Sequence, residues 1–228
     1  MTLPDLALAR LLQLASPTLP VGAYSYSQGL ESAVEERMVV NAETAERWIG
    51  DLLRLGLARL EAPLWCRLAT AWEQSDLDAV QHWNDFFLAT RETAELRAET
   101  AQMGYSLARL LADIGEFESA ALDSLGAVTH ITFPAAFTFA VTEWRIPAQS
   151  ALIAYLWSWL ENQVMAAVKC VPLGQTDGQR LLARLGAHLP ALAQQSLAAD
   201  DDQLCNFTPA LAVASSRHET QYSRLFRS

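Results

Sequence analysis

Lysine is almost missing from this sequence. The 228 residues carry 16 basic side chains, and Lys169 is the one that is not arginine. Against 26 acidic residues they leave a formal net charge of −10. That balance excludes a nucleic-acid partner, because neutralising phosphates needs clustered Lys and Arg. Cysteine is scarce, odd in number and scattered: Cys66, Cys170 and Cys205 read as reduced thiols, not as a disulfide framework. The histidines His82, His130, His188 and His218 are far apart. No His-x-x-x-His or Cys-x-x-Cys pair offers two ligands from adjacent turns, so neither a tight metal site nor a cofactor is expected. The single lysine follows no glycine, which excludes a P-loop. Gly-x-Gly-x-x-Gly and Gly-x-Ser-x-Gly are also missing, and with them the dinucleotide fingerprint and the nucleophile elbow. These absences predict a protein with no catalytic site of its own. His218 beside Glu219 is too common a pair to suggest a hydrolase, and no nucleophile neighbours it.

The opening Met1-Thr2-Leu3-Pro4-Asp5 has no basic region before an apolar run, which reads as a cytoplasmic protein without a secretory signal. A stretch free of Asp, Glu, Lys and Arg runs from Ser124 to Thr142. It is long enough to suggest a membrane span, but it contains His130, Pro134 and four threonines. It reads instead as a buried helix or helix pair, with no membrane association.

What is present is helical periodicity. Leu6, Leu8, Leu11, Leu12 and Leu14 predict a first helix, stopped by Pro17 and Pro20. A second is predicted over 24–39. Asn41 reads as an N-cap, Pro63 as the opening of a short helix, and Ser75 with Asp78 as a capping box. The clearest amphipathic helix covers 90–114. Pro147 opens another that ends before Pro172 and Gly174, and a further one fits 175–197, broken near Pro190. Strand alternation and fixed-period repeats are not found. The fold class is therefore all-α: a single-domain irregular bundle of about seven to ten helices. Residues 1–214 form the bundle, and residues 215–228 form a C-terminal partner-binding tail.

Three segments stand out. The first is Leu19-Pro20-Val21-Gly22-Ala23-Tyr24-Ser25-Tyr26-Ser27-Gln28-Gly29-Leu30-Glu31. Gly29 inside a helix costs up to about 1 kcal/mol relative to Ala. Close backbone approach by a neighbour would explain it; an ordinary helix start with capping serines is the alternative. The second is Ala167-Val168-Lys169-Cys170-Val171-Pro172-Leu173-Gly174-Gln175. Lys169 shares a helical stripe with Ser158, Asn162 and Met165, opposite the apolar face. A solvated lysine near a helix C-terminus is the plain reading. The third is Ser216-Arg217-His218-Glu219-Thr220-Gln221-Tyr222-Ser223-Arg224-Leu225-Phe226-Arg227-Ser228. It is basic on an acidic protein, and Tyr222, Leu225 and Phe226 share one helical face. It either orders on a partner or docks on its own domain.

Together these runs resemble the UreF family of urease accessory proteins. The matching residues are the run 19–31; Arg91-Glu92-Thr93 with Glu95-Leu96-Arg97; Val168-Lys169 with Val171-Pro172-Leu173-Gly174-Gln175; and Arg217-His218-Glu219 with Gln221-Tyr222-Ser223-Arg224-Leu225-Phe226. Cys170 replaces the aliphatic residue the pattern expects, and it packs as a small apolar group. The resemblance implies an all-helical, homodimeric, non-enzymatic scaffold. It implies binding to UreD (also called UreH) and to the GTPase UreG, docking on apo-urease, and coupling of GTP hydrolysis to nickel insertion. On that basis the partner-binding residues are Tyr24, Ser25, Tyr26, Ser27, Gly29 and Glu31; Lys169, Pro172, Gly174 and Gln175; and Arg217, His218, Glu219, Gln221, Tyr222, Ser223, Arg224, Leu225 and Phe226. Nickel is handled by the complex, with no tight site in this chain. The alternative is a GTPase activator lending Arg217, Arg224 or Lys169 to the GTPase site.

Overall fold

Helices follow the apolar spacing along nearly the whole chain. The computed structural model describes residues 3–228; Met1 and Thr2, read above for a leader, lie outside it. Helix α1 (Asp5–Leu14) turns Ala7, Leu11 and Leu14 inward, four and three residues apart. The predicted helix over 24–39 is corrected. A 3-10 turn covers Ala23–Ser25, and α2 spans only Leu30–Glu35. The backbone is left-handed at Gly22 (φ +79°), Gln28 (φ +51°) and Gly29 (φ +76°). An L-residue helix cannot run through such positions. Gly29 therefore sits at the start of a helix, not inside one.

Asn41 caps α3 (Ala42–Leu52), accepting from the Thr44 amide at 2.9 Å. This helix continues through a π-helical segment, Leu53–Glu61, into α4 (Ala62–Glu73), which has Pro63 in its first turn. Two carbonyls of the π segment accept from outside it: Ala58 O from Ser196 Oγ and Arg59 O from the Cys205 amide, each at 3.1 Å. Helix α5 (Leu77–Ala89) is capped by Asp76, not by Ser75, because Ser75 is itself left-handed at φ +55°. Helix α6 (Ala94–Asp113) starts later than the predicted residue 90. Thr93 takes the Leu96 amide, and Arg91 and Glu92 stay in the connecting loop.

The uncharged stretch is a helix pair, α7 (Ser119–Ala127) and α8 (Phe133–Glu143), and α8 is buried continuously from Phe133 to Val141. The turn leading into α8 crosses close to α6, where a Cβ on Gly104 would lie 2.2 Å from Ile131 O. Helix α9 (Ala148–Cys170) is the central rod, touching α1, α2, α3, α4, α8, α10 (Gln175–Gly186) and α11 (Leu189–Leu197). Helix α12 (Pro209–His218) lies against α2. Among the described residues there is no strand, so the fold is all-α. No helix among them is long and apolar enough to cross a membrane.

Candidate functional site: a polar centre under a C-terminal strap

A bundle of this composition keeps most charge outside, so charged groups at its centre need explanation. Glu61, at the end of the π segment, accepts from Tyr155 OH at 2.5 Å and pairs with Arg91 at 3.3 Å. Glu99, on the inner face of α6, accepts from Gln28 Nε2 and from Ser228 Oγ, both at 2.6 Å. Gln28 takes the Trp159 indole N–H on its amide oxygen at 2.7 Å. Burial pushes Glu99 up to about 7, and Tyr155 is also raised by burial. Both shifts follow from desolvation, which disfavours the charged form.

Gln28, Glu61, Arg91, Glu99, Tyr155 and Trp159 line a cavity of about 180 Å³ together with Glu161 and Lys169. Ser158, Asn162, Met165 and Lys169, one stripe of α9 in the sequence, all face it. A second, smaller cavity shares Gln28, Glu61, Arg91, Leu96 and Trp159 with the first, so these side chains form the wall between the two. Burial also pushes the Cys66 thiol to about 12 and that of Cys170 to about 11, which keeps both protonated and inert at neutral pH. No group of three or more His, Cys, Asp or Glu residues among the described residues is set to hold a metal ion.

The chain after α12 is a strap laid over this centre. Glu31 accepts from the Leu225 and Phe226 amides at 2.7 and 2.9 Å. His218 is fully buried, with Nδ1 2.7 Å from Glu95 and Nε2 3.3 Å from Glu31. Arg224 also binds Glu95, and Arg217 binds Glu36. Glu219 does not pair with His218. Its carboxylate takes the Ala94 amide at 2.8 Å, placing negative charge at the N-terminus of α6. Ser25 O accepts from the Arg227 amide, and Ser228 O accepts from both Ser27 N and Ser27 Oγ. Phe226 is the strap's buried apolar anchor, and the Lys169 ammonium lies 5.4 Å from its ring centroid.

The run 19–31, Lys169 and the tail thus meet at one place. Within it, Tyr26, Ser27, Gly29, Glu31, His218 and Phe226 are internal. Ser25 is partly buried, as is Gln221, which donates to Ser223 O. Tyr24, Lys169, Arg217, Glu219, Tyr222, Ser223, Arg224 and Leu225 face outward. Pro172 and Gly174 sit apart on an exposed loop, and Gln175 is the exposed first residue of α10. Gly29 has the close neighbour its cost requires: a Cβ there would lie 3.1 Å from the Ser215 amide nitrogen. Sequence reasoning passed over Glu61, Glu99, Tyr155 and Trp159. Glu99 could have been found, since it lies three residues after Leu96 and four before Met103, on the apolar stripe.

The arrangement defines a helical protein whose charged interior joins its own distant segments. The UreF family profile matches residues 39–186. The chain is 61% identical over 227 residues to "Urease accessory protein UreF" of Azoarcus sp. (strain BH72), covering 98% of this chain and 96% of that protein. It is 54% identical over 224 residues to the protein of that name from Dechloromonas aromatica (strain RCB), covering 98% of each. It is also 50% identical to "Bifunctional urease accessory protein UreEF" of Bordetella bronchiseptica, covering 97% of this chain and 52% of that one. The chain belongs to the UreF family of urease accessory proteins.

Proposed function

We propose that this chain is a non-enzymatic cytoplasmic adaptor that binds UreD (UreH) and the GTPase UreG as a homodimer and couples GTP hydrolysis to nickel insertion into apo-urease. The observation that carries this reading is the outer face of the strap. Tyr222 is fully exposed and Leu225 is 75% exposed, while the strap's polar groups are turned inward onto Glu31, Glu95 and Glu99. An ordered segment that holds apolar side chains in water is prepared for a protein surface. The Bordetella relative, by name a fusion of two urease accessory functions, supports action within a maturation assembly. The net charge of −10 favours drawing a divalent cation without a deep well to trap it.

The test is co-expression with UreD and UreG, comparing the natural chain with Tyr222→Ala/Leu225→Ala. Neither side chain supports the bundle, so the fold stays and co-purification falls at least tenfold. Undiminished co-purification of the folded double variant would overturn the assignment of this face. Sedimentation of the purified chain tests the homodimer separately.

A second reading, in which the chain lends a cation to the GTPase site, is favoured by one observation. Arg217 and Arg224 are engaged by Glu36 and Glu95, whereas Lys169 has no carboxylate partner among the described residues. Lys169→Met keeps the stem over Phe226 and removes the charge. Lost GTPase stimulation with intact binding supports this reading; lost binding returns Lys169 to the adaptor surface.

A further inference from the structure

Glu99 belongs to two structures at once. Its carboxylate lines the larger cavity, and it also holds Ser228 at the end of the strap. Its other oxygen is tied to Gln28, which is tied to Trp159 in the wall between the cavities. The strap's remaining holds are polar apart from Phe226, and after Gln221 it has no helix of its own. We infer that residues 219–228 are a detachable strap whose seating is coupled, through the Glu99 carboxylate, to the state of the cavity that Glu99 lines.

The coupling has a sign. The charged and titratable groups facing Glu99 are Arg91, Glu61, Tyr26 and Tyr155, with Gln28 and Ser228 as hydrogen-bond donors. With the strap seated, burial outweighs the two donors and Arg91, so the carboxyl stays protonated up to about pH 7. Lifting the strap admits water to Glu99 and returns it toward an ordinary carboxylate. Ionisation therefore favours the lifted state, and a cation that takes up the Glu99 charge inside the cavity acts on the strap through the same link. Reciprocally, a partner that captures the strap changes the charge of the cavity wall. The site is thus both a chamber and the latch for a binding segment.

Hydrogen exchange of the full chain, followed on the peptide 219–228 and corrected for intrinsic rates, tests this. A shift from about 7 when seated to the ordinary 4.5 when lifted raises strap opening about tenfold from pH 6 to pH 8. Glu99→Gln mimics the protonated carboxyl and should flatten that dependence. Ser228→Ala, at the strap's end, removes a donor that favours ionisation but keeps most of the burial, so its dependence should steepen. It remains informative if the Gln variant does not fold. Phe226→Ala loosens the strap at every pH and should leave the slope alone. His218, between Glu31 and Glu95, is common to all the variants and cancels in the comparison. A flat natural profile, or one slope shared by the natural chain and the Glu99 and Ser228 variants, overturns the coupling.

Discussion

Replacing Gly29 by Ala probes the contact between the first and last segments of the chain, and Gly22 supplies its control. Both glycines are left-handed, at φ +76° and +79°. An L side chain in that region costs roughly 1–2 kcal/mol. Around Gly22 nothing lies within 4 Å of the added Cβ, so Gly22→Ala loses only that backbone cost. At Gly29 the same methyl meets Ser215 Oγ at 3.0 Å, Ser215 N at 3.1 Å and the Ala214 Cβ at 3.3 Å. Two of these three atoms are fixed to the backbone of α12, which must move. Overpacking of this kind adds about 1–3 kcal/mol. Gly29→Ala should therefore destabilise by about 2–5 kcal/mol and Gly22→Ala by about 1–2 kcal/mol, read as shifts of the urea midpoint at unchanged m-value. Displacing α12 also displaces the strap, so trypsin should cut after Arg224 and Arg227 faster in the Gly29 variant alone. Equal losses of stability in the two variants would refute the packing argument.

Further outcomes follow from the buried acids. The folded value of Glu99 is raised to about 7 from 4.5, so its contribution is fully present below the unfolded value and is lost as pH rises through the folded one. Stability should fall by about 3 kcal/mol at most between pH 4.5 and pH 7 through this group, and Glu99→Gln should remove that slope in urea titrations. Tyr155→Phe deletes the 2.5 Å donor to Glu61 and leaves Arg91 as that acid's partner; a loss of about 1–3 kcal/mol is expected in thermal unfolding.

Much of the bundle was legible because its signals are local. Asn41 as a cap, Pro147 before the central helix and the break near Pro190 each depend on chemistry within one turn. The errors arose where tertiary structure or φ decided. Residues 24–29 have helix-compatible side chains, yet Gly22, Gln28 and Gly29 turn left-handed, and α12 occupies the space beside them. Arg91 reads as helix by composition but serves Glu61 from a loop, since Thr93 caps the helix three residues before Leu96. The site was half legible. Its exposed members lie in unusual runs, whereas Glu61 and Glu99 are paired by groups more than 25 residues away in sequence. No local pattern encodes such pairs.

The presence of those acids is itself informative. A well-packed apolar side chain in place of a buried charge is often neutral or stabilising by about 1–4 kcal/mol, whereas stripping the partner from a buried charge is strongly destabilising. Selection for stability alone would thus favour leucine or methionine at positions 31, 61 and 99. Glutamates there give up that gain and obtain something an apolar core cannot provide: a seat that recognises a particular segment in a particular register. Glu31 receives two consecutive strap amides, Glu95 receives His218 and Arg224, and Glu99 receives Ser228. A hydrophobic seat would hold a strap of the same length in several registers; this one holds it in one. It also holds it through groups whose strength depends on protonation and hydration, so the hold can be weakened without unfolding α1 to α11. For the adaptor role proposed above, a segment that is specific when seated and removable without global unfolding offsets the stability it forgoes.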